Sequence, residues 1–151
     1  MSDSLGHRGK FGVLAPSTNT SVQPEFEAMK PWGITHHHSR LVIPDVRVSD
    51  DRSFMVMMDH ICGALLPALE AVMTCHPDYV VLGMSAETFW DGLEGAKVLQ
   101  KKLDRVAKCG VVMGSDACQA ALRKYGRGIR RLGVIRPYMR GGDHQRGRFF
   151  S

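Results

Sequence analysis

At 151 residues, with 44% hydrophobic and 23% charged side chains, the chain has the profile of one globular domain and enough apolar material for a single core. Its opening residues MSDSLGHRGK are polar, and no apolar run approaches the roughly 18 residues of a membrane span, so a cytoplasmic protein with no membrane partner is expected. The net charge of +5 is uneven: residues 123–151 carry nine Lys/Arg and one acid, against eleven bases and fourteen acids in residues 1–122, so the basic excess belongs to the tail.

Residues 11–15 (FGVLA) form a short apolar run that ends in Pro16, Ser17, Thr18, Asn19 and Thr20, residue types that favour turns and caps. This predicts strand, loop and helix, with Ser21 or Thr20 as the cap and Pro24 in the first turn, where a missing N–H costs nothing. Residues 33–43 (GITHHHSRLVI) are rich in β-branched types and bounded by turn signals, which predicts a second strand. From 53 to 75, Phe54, Met57, Met58, Ile61, Leu65, Leu69 and Val72 recur at spacings of three and four and define one face of a helix that Pro67 is expected to kink.

Residues 79–83 (YVVLG) read as a strand covered on both faces. After the loop 84–90, Leu93, Ala96, Leu99, Leu103 and Val106 give another helical stripe, with Gly110 as a break. A fourth strand follows at 111–113, then Gly114-Ser115, a helix at 116–124 and a fifth strand at 132–135 that leads to Pro137-Tyr138. Such alternation predicts an α/β fold: a flavodoxin-like parallel sheet with helices on both faces and ligands bound beyond the carboxyl ends of the strands.

Two of those ends could carry chemistry. Ser17, Thr18, Asn19 and Thr20 offer hydroxyls and an amide beside a helix start, which suits a carboxylate or phosphate and equally suits a plain helix cap. In GMSAETFWDG, Gly83 lets backbone approach a ligand, and Ser85 with the N–H groups around it could donate to a developing negative charge. Of His36, His37 and His38 only the first and last can share a strand face, so no metal site is expected there. Cys62, Cys75, Cys109 and Cys118 show no CxxC spacing, and Cys62 and Cys109 are expected to pack as small buried residues. With neither a P-loop nor a GxGxxG fingerprint, a nucleotide cofactor has no support.

Taken in order, KFGVLAPSTNT, ITHHHSRLVIPD, DYVVLGMSAETFWDG and RRLGVIRPYM resemble the aspartate/glutamate racemase superfamily, in its maleate isomerase and arylmalonate decarboxylase branches. The resemblance implies a cofactor-independent lyase or isomerase of two flavodoxin-like lobes, with a small-molecule carboxylate held between them. It assigns substrate binding to Pro16, Ser17, Asn19, Gly83, Met84, Ser85 and Tyr138. Asn19 and Tyr138 would hold a carboxylate, Ser85 and the backbone near Met84 would form an oxyanion hole, and Ser85 and Tyr138 are the catalytic candidates.

Two departures from that pattern stand out. The family's first-lobe cysteine would fall at Gly83 or Met84, and neither is cysteine. Residues 1–122 read as the first lobe, while 123–151 resemble only the start of the second and carry Arg136, Arg140, Arg146 and Arg148 where small or apolar residues are expected. The expectation is therefore a truncated form, inactive alone, whose apolar lobe surface would favour a homo-oligomer. The alternative is a non-catalytic α/β binding module with a nucleic-acid-binding tail, disfavoured because the tail lacks interleaved aromatic residues.

Overall fold

Four parallel strands, in the order β2-β1-β3-β4, make one sheet within the residues that the computed structural model describes, 3–84, 88, 92–126, 128 and 131–133. The elements are β1 (Gly9–Pro16), α1 (Val22–Ala28), β2 (Ile34–Leu41), α2 (Asp51–Met73), β3 (Tyr79–Leu82), α3 (Gly92–Ala107), β4 (Val111–Val112) and α4 (Gly114–Lys124). Parallel neighbours cannot be joined by hairpins, so a helix separates each strand from the next. From β1 the chain passes to β2 on one side, then returns past β1 to β3 on the other. The direction of travel thus reverses between β1 and β3, where the loops that follow those strands diverge and leave a crevice.

Register assigns the two faces. Phe11 pairs with His36 and Tyr79, and Val13 with His38 and Val81, so these side chains point one way; Gly12, Leu14 and their partners Val80 and Leu82 point the other. The second face carries the main core, in which Leu14, Leu41, Val80, Leu82 and Val111 meet Ile61, Leu65, Leu69 and Val72 of α2 and Ala96 and Leu103 of α3. Burial of a leucine such as Leu69, which is fully enclosed, stabilises by about 1.5–3 kcal/mol. Gly12 lets α2 lie close, since an added β-carbon would meet the Val72 methyls at 3.0 and 3.2 Å.

α2 starts on a capping box: the Asp50 carboxylate accepts the Ser53 amide at 2.7 Å, while Ser53 Oγ accepts the Asp50 amide at 3.1 Å. The helix continues through Pro67 to Met73. By length and composition it could cross a membrane, with mean hydropathy 1.4, yet Ile61, Leu65, Ala68, Leu69 and Val72 pack here on the sheet and the adjoining helix, while Phe54 and Met58 are buried against Val48. Cys62 corrects an expectation, for it lies off the apolar stripe and is exposed, while Cys109 is half-buried. Helix α3 ends at Ala107, and Gly110 turns the chain at a φ of +91° with the Tyr79 ring where a side chain would start. Of the fifth strand expected at 132–135, Leu132 and Gly133 lie in no regular element and the rest falls outside the described residues.

The opposite face is covered differently. Helix α1 buries none of its own residues fully, and it touches the sheet through Phe26, whose ring stands edge-on to His36 and His38 at 5.2 and 6.3 Å between centroids. Tyr79, further along this face, remains 39% exposed.

Candidate functional site

The loop that leaves β1 is held by its own side chains. The Ser17 amide donates to Leu41 O at 2.8 Å, and Ser17 Oγ accepts from the Ile43 amide at 3.1 Å while donating to Ile43 O at 3.3 Å. That hydroxyl fastens β1 to the chain beyond β2. Its proton is committed to backbone, which leaves Ser17 little to offer a substrate.

Asn19 supplies the cap expected of Ser21 or Thr20. Its Oδ1 accepts the Val22 amide at 2.9 Å and the Ser21 amide at 3.0 Å, whereas Ser21 makes no side-chain cap bond. The reason is conformational: Ser21 is already helical at φ −100°, ψ −38°, and a serine cap needs extended backbone to reach forward. The acceptor must then come from further upstream. A consequence follows for Asn19, whose oxygen is committed while its –NH2 makes no hydrogen bond among the described residues. The two-donor end of a fixed amide is thereby presented at an open groove of ≈ 550 Å³ lined by Ser17, Asn19, Thr20, Gln23, Glu27 and Arg40.

Arg40 was not among the residues singled out from sequence. Its guanidinium donates from Nη1 to Asn19 O at 2.8 Å and Pro16 O at 3.4 Å, and from Nη2 to Gln23 Oε1 at 2.9 Å. It thus ties the loop to α1 and sets a positive charge in the groove wall beside the Asn19 amide. The alternation His36, His38, Arg40 on one strand face was the signal that could have found it.

Across the β1/β3 crevice, Gly83 meets the same loop. The Gly83 amide donates to Leu14 O at 2.7 Å, and a β-carbon on Gly83 would lie 2.7 Å from Val22 Cγ1 and 3.0 Å from Leu14 O. The glycine therefore admits the start of α1 rather than a ligand. Met84 packs against the core cluster. The structure thus brings Pro16, Ser17, Asn19, Gly83 and Met84 to one edge of the sheet, while Ser85 and Tyr138 lie outside the described residues. Further along that edge Ser115 is wholly buried and its Oγ has no partner among the described residues.

Under α1, the His36 and His38 side chains are only 5% and 8% exposed, with His36 Nδ1 and His38 Nε2 at 3.8 and 4.0 Å from Glu27 Oε1. Burial holds both imidazoles below the ordinary histidine pKa, against the weaker pull of Glu27. Glu27 itself is held low, chiefly by its 2.7 Å bond from Lys30. Among the described residues no group of three His, Cys, Asp or Glu is arranged to hold a metal ion.

Neither protein-family models nor curated proteins give a match to the chain.

Proposed function

We propose that the chain is the first lobe of a cofactor-independent lyase or isomerase of the aspartate/glutamate racemase type, acting on a small dicarboxylate such as a substituted malonate or maleate. The observation that carries the reading is Asn19: an amide whose oxygen is consumed by the α1 cap and whose –NH2 stands unpartnered beside Arg40. A carboxylate is an acceptor-only group, so a donor pair that cannot flip recognises it without reorganisation. The position beyond the carboxyl end of β1, at the reversal point of the sheet, supports the same assignment.

Loss of CO2 from a malonate, or reversible addition of a nucleophile to the double bond of maleate, leaves an enediolate beside a carboxylate, and fixed donors lower the barrier by stabilising that charge. Asn19 would hold one carboxylate throughout. By resemblance, Ser85 and Tyr138 would donate to the enediolate oxygens, with no cysteine at Gly83 or Met84 to return a proton after loss of CO2 or to add to and leave maleate. That proton donor or nucleophile would then come from a second lobe.

Titration of the isotope-labelled chain with phenylmalonate and with maleate tests the reading. Saturable shifts of the Asn19 side-chain amide signals are expected with one or both. Unperturbed Asn19 signals at millimolar ligand would contradict it. CO2 release from phenylmalonate, or fumarate formation from maleate, by the chain joined to a second lobe would then decide between lyase and isomerase.

A further inference from the structure

The histidine pair beneath α1 has no part in the reading above, and its surroundings are unusual. Two imidazoles lie side by side, ring centroids 6.4 Å apart, with His36 Nδ1 and both nitrogens of His38 buried and without a hydrogen-bond partner among the described residues. A buried polar nitrogen without a partner is costly, and a charged one is costlier still. The groups that could compensate are few, and one is the Phe26 backbone of α1, whose contact with His36 favours the protonated ring. From α1, Glu27 approaches at 3.8 and 4.0 Å, but it is 39% exposed and already bonded to Lys30, whose own charge opposes protonation of His36. On β2, His37 points to the opposite face, and the Arg40 charge disfavours a protonated His38. The β1 residues on this face, Gly9, Phe11, Val13 and Ala15, carry no ionisable side chain, and Tyr79 of β3 lies beyond Phe11.

The same pair is the seat of α1. This seven-residue helix fully buries none of its residues, and its aromatic contact with the sheet is Phe26 standing edge-on to the two imidazoles. The geometry points to a proton-operated latch: with His36 and His38 neutral, Phe26 holds α1 on the sheet, and their protonation lifts α1 and loosens the Asn19 loop that caps it. Two like charges 6.4 Å apart under an apolar ring are relieved by admitting water, and among the described residues the element that covers them is the short helix. Release reaches the loop because Asn19 Oδ1 is bonded to the first amide of α1 and Arg40 bridges Asn19 to Gln23. The main core, on the other face, is not involved.

The sign follows from linkage. Burial holds both folded-state pKa values below the ordinary histidine value of 6.5, so the closed helix is fully favoured above about that pH and loses ground as the pH falls below it. The test is the aromatic NMR spectrum of the full chain between about pH 7.5 and about pH 5.5, a range that brackets histidine titration. Phe26 is assigned with Phe26→Leu, and Phe54 of α2 serves as the internal reference. The Phe26 signals are expected to leave their ring-current-shifted positions for those of free phenylalanine as the pH falls, while Phe54 stays in place. The double variant H36L/H38L should keep Phe26 shifted throughout, and Glu27→Gln should move the wild-type midpoint to higher pH. The latch is overturned by an immobile Phe26 signal, by Phe26 and Phe54 shifting together, or by a double variant that tracks the wild type. Should the double variant not fold, a Glu27→Gln midpoint that is unchanged or lower overturns it equally.

Discussion

The Cγ1 methyl of Val22 lies 2.7 Å from the point where a β-carbon on Gly83 would sit, so the loop after β1 and the loop after β3 are fitted to each other through one absent side chain. Val22 is also the residue whose amide Asn19 caps. The carboxyl edge of the sheet is therefore one mechanical unit, in which the cap, the helix start and the crevice wall move together.

Gly83→Ala should destabilise the fold by about 1–3 kcal/mol, the usual cost of overpacking. Val22→Ala in the same chain should recover only part of that, because Leu14 O, at 3.0 Å from the new carbon, is backbone and cannot yield. Urea unfolding of both variants measures this; a single variant as stable as the wild type would contradict the fit.

Ser17→Ala removes both bonds to Ile43 and leaves that buried residue's amide and carbonyl less satisfied, a loss of about 1–3 kcal/mol. The expected signature is lower stability in thermal melts with little change in ligand affinity at equal folded fraction. An affinity loss without a stability loss would restore Ser17 to the substrate-binding set.

Leu69→Ala, at a fully buried position of α2, should cost about 2–5 kcal/mol. Val98→Ala, 68% exposed on α3, should stay within about 0.5 kcal/mol. Denaturant midpoints decide, and equal effects at the two sites would contradict the assignment of faces.

Asp50 gives a pH-dependent case. Its carboxyl is held below the ordinary value of 3.8 by the Ser53 hydroxyl and then the Ser53 amide, so its stabilisation is complete above that pH and fades as the pH falls through the lowered value. Asp50→Ala should therefore melt earlier than the wild type by a constant margin from neutral pH down to about 4, with the margin shrinking only below that. A margin already narrowing near neutral pH would point to some other group.

The apolar periodicity of α2 was easy to read because Phe54, Met58, Ile61, Leu65, Leu69 and Val72 are all buried along one stripe, whereas on α3 the stripe holds at Ala96 and Leu103 but not at Leu93, which is 46% exposed. The first four strand positions came through as well, with the apolar run at Tyr79–Leu82 standing between β1 and β4, though Tyr79 is exposed on one face and Leu132 and Gly133 lie in no strand. The site was harder. Ser21 has cap chemistry in sequence but a helical φ/ψ in the fold, so Asn19 acts in its place, and side-chain chemistry does not announce a backbone angle. Arg40 escaped notice because its partners, Pro16, Asn19 and Gln23, lie between 17 and 24 residues away. Cys62 sits on the solvent side of an otherwise apolar helix, where composition alone suggested burial.

The account depends most on the division of labour within the Asn19 side chain, and Asn19→Asp isolates it. Aspartate preserves the capping oxygen but puts a second, negatively charged oxygen where the –NH2 stood. Calorimetric titration of phenylmalonate against wild type and Asn19→Asp, with melts alongside, is the direct measurement. The predicted result is a variant of nearly unchanged stability whose affinity falls tenfold or more, about 1.4 kcal/mol. An Asn19→Asp chain that binds the dicarboxylate as tightly as the wild type would contradict the claim that this amide recognises a carboxylate.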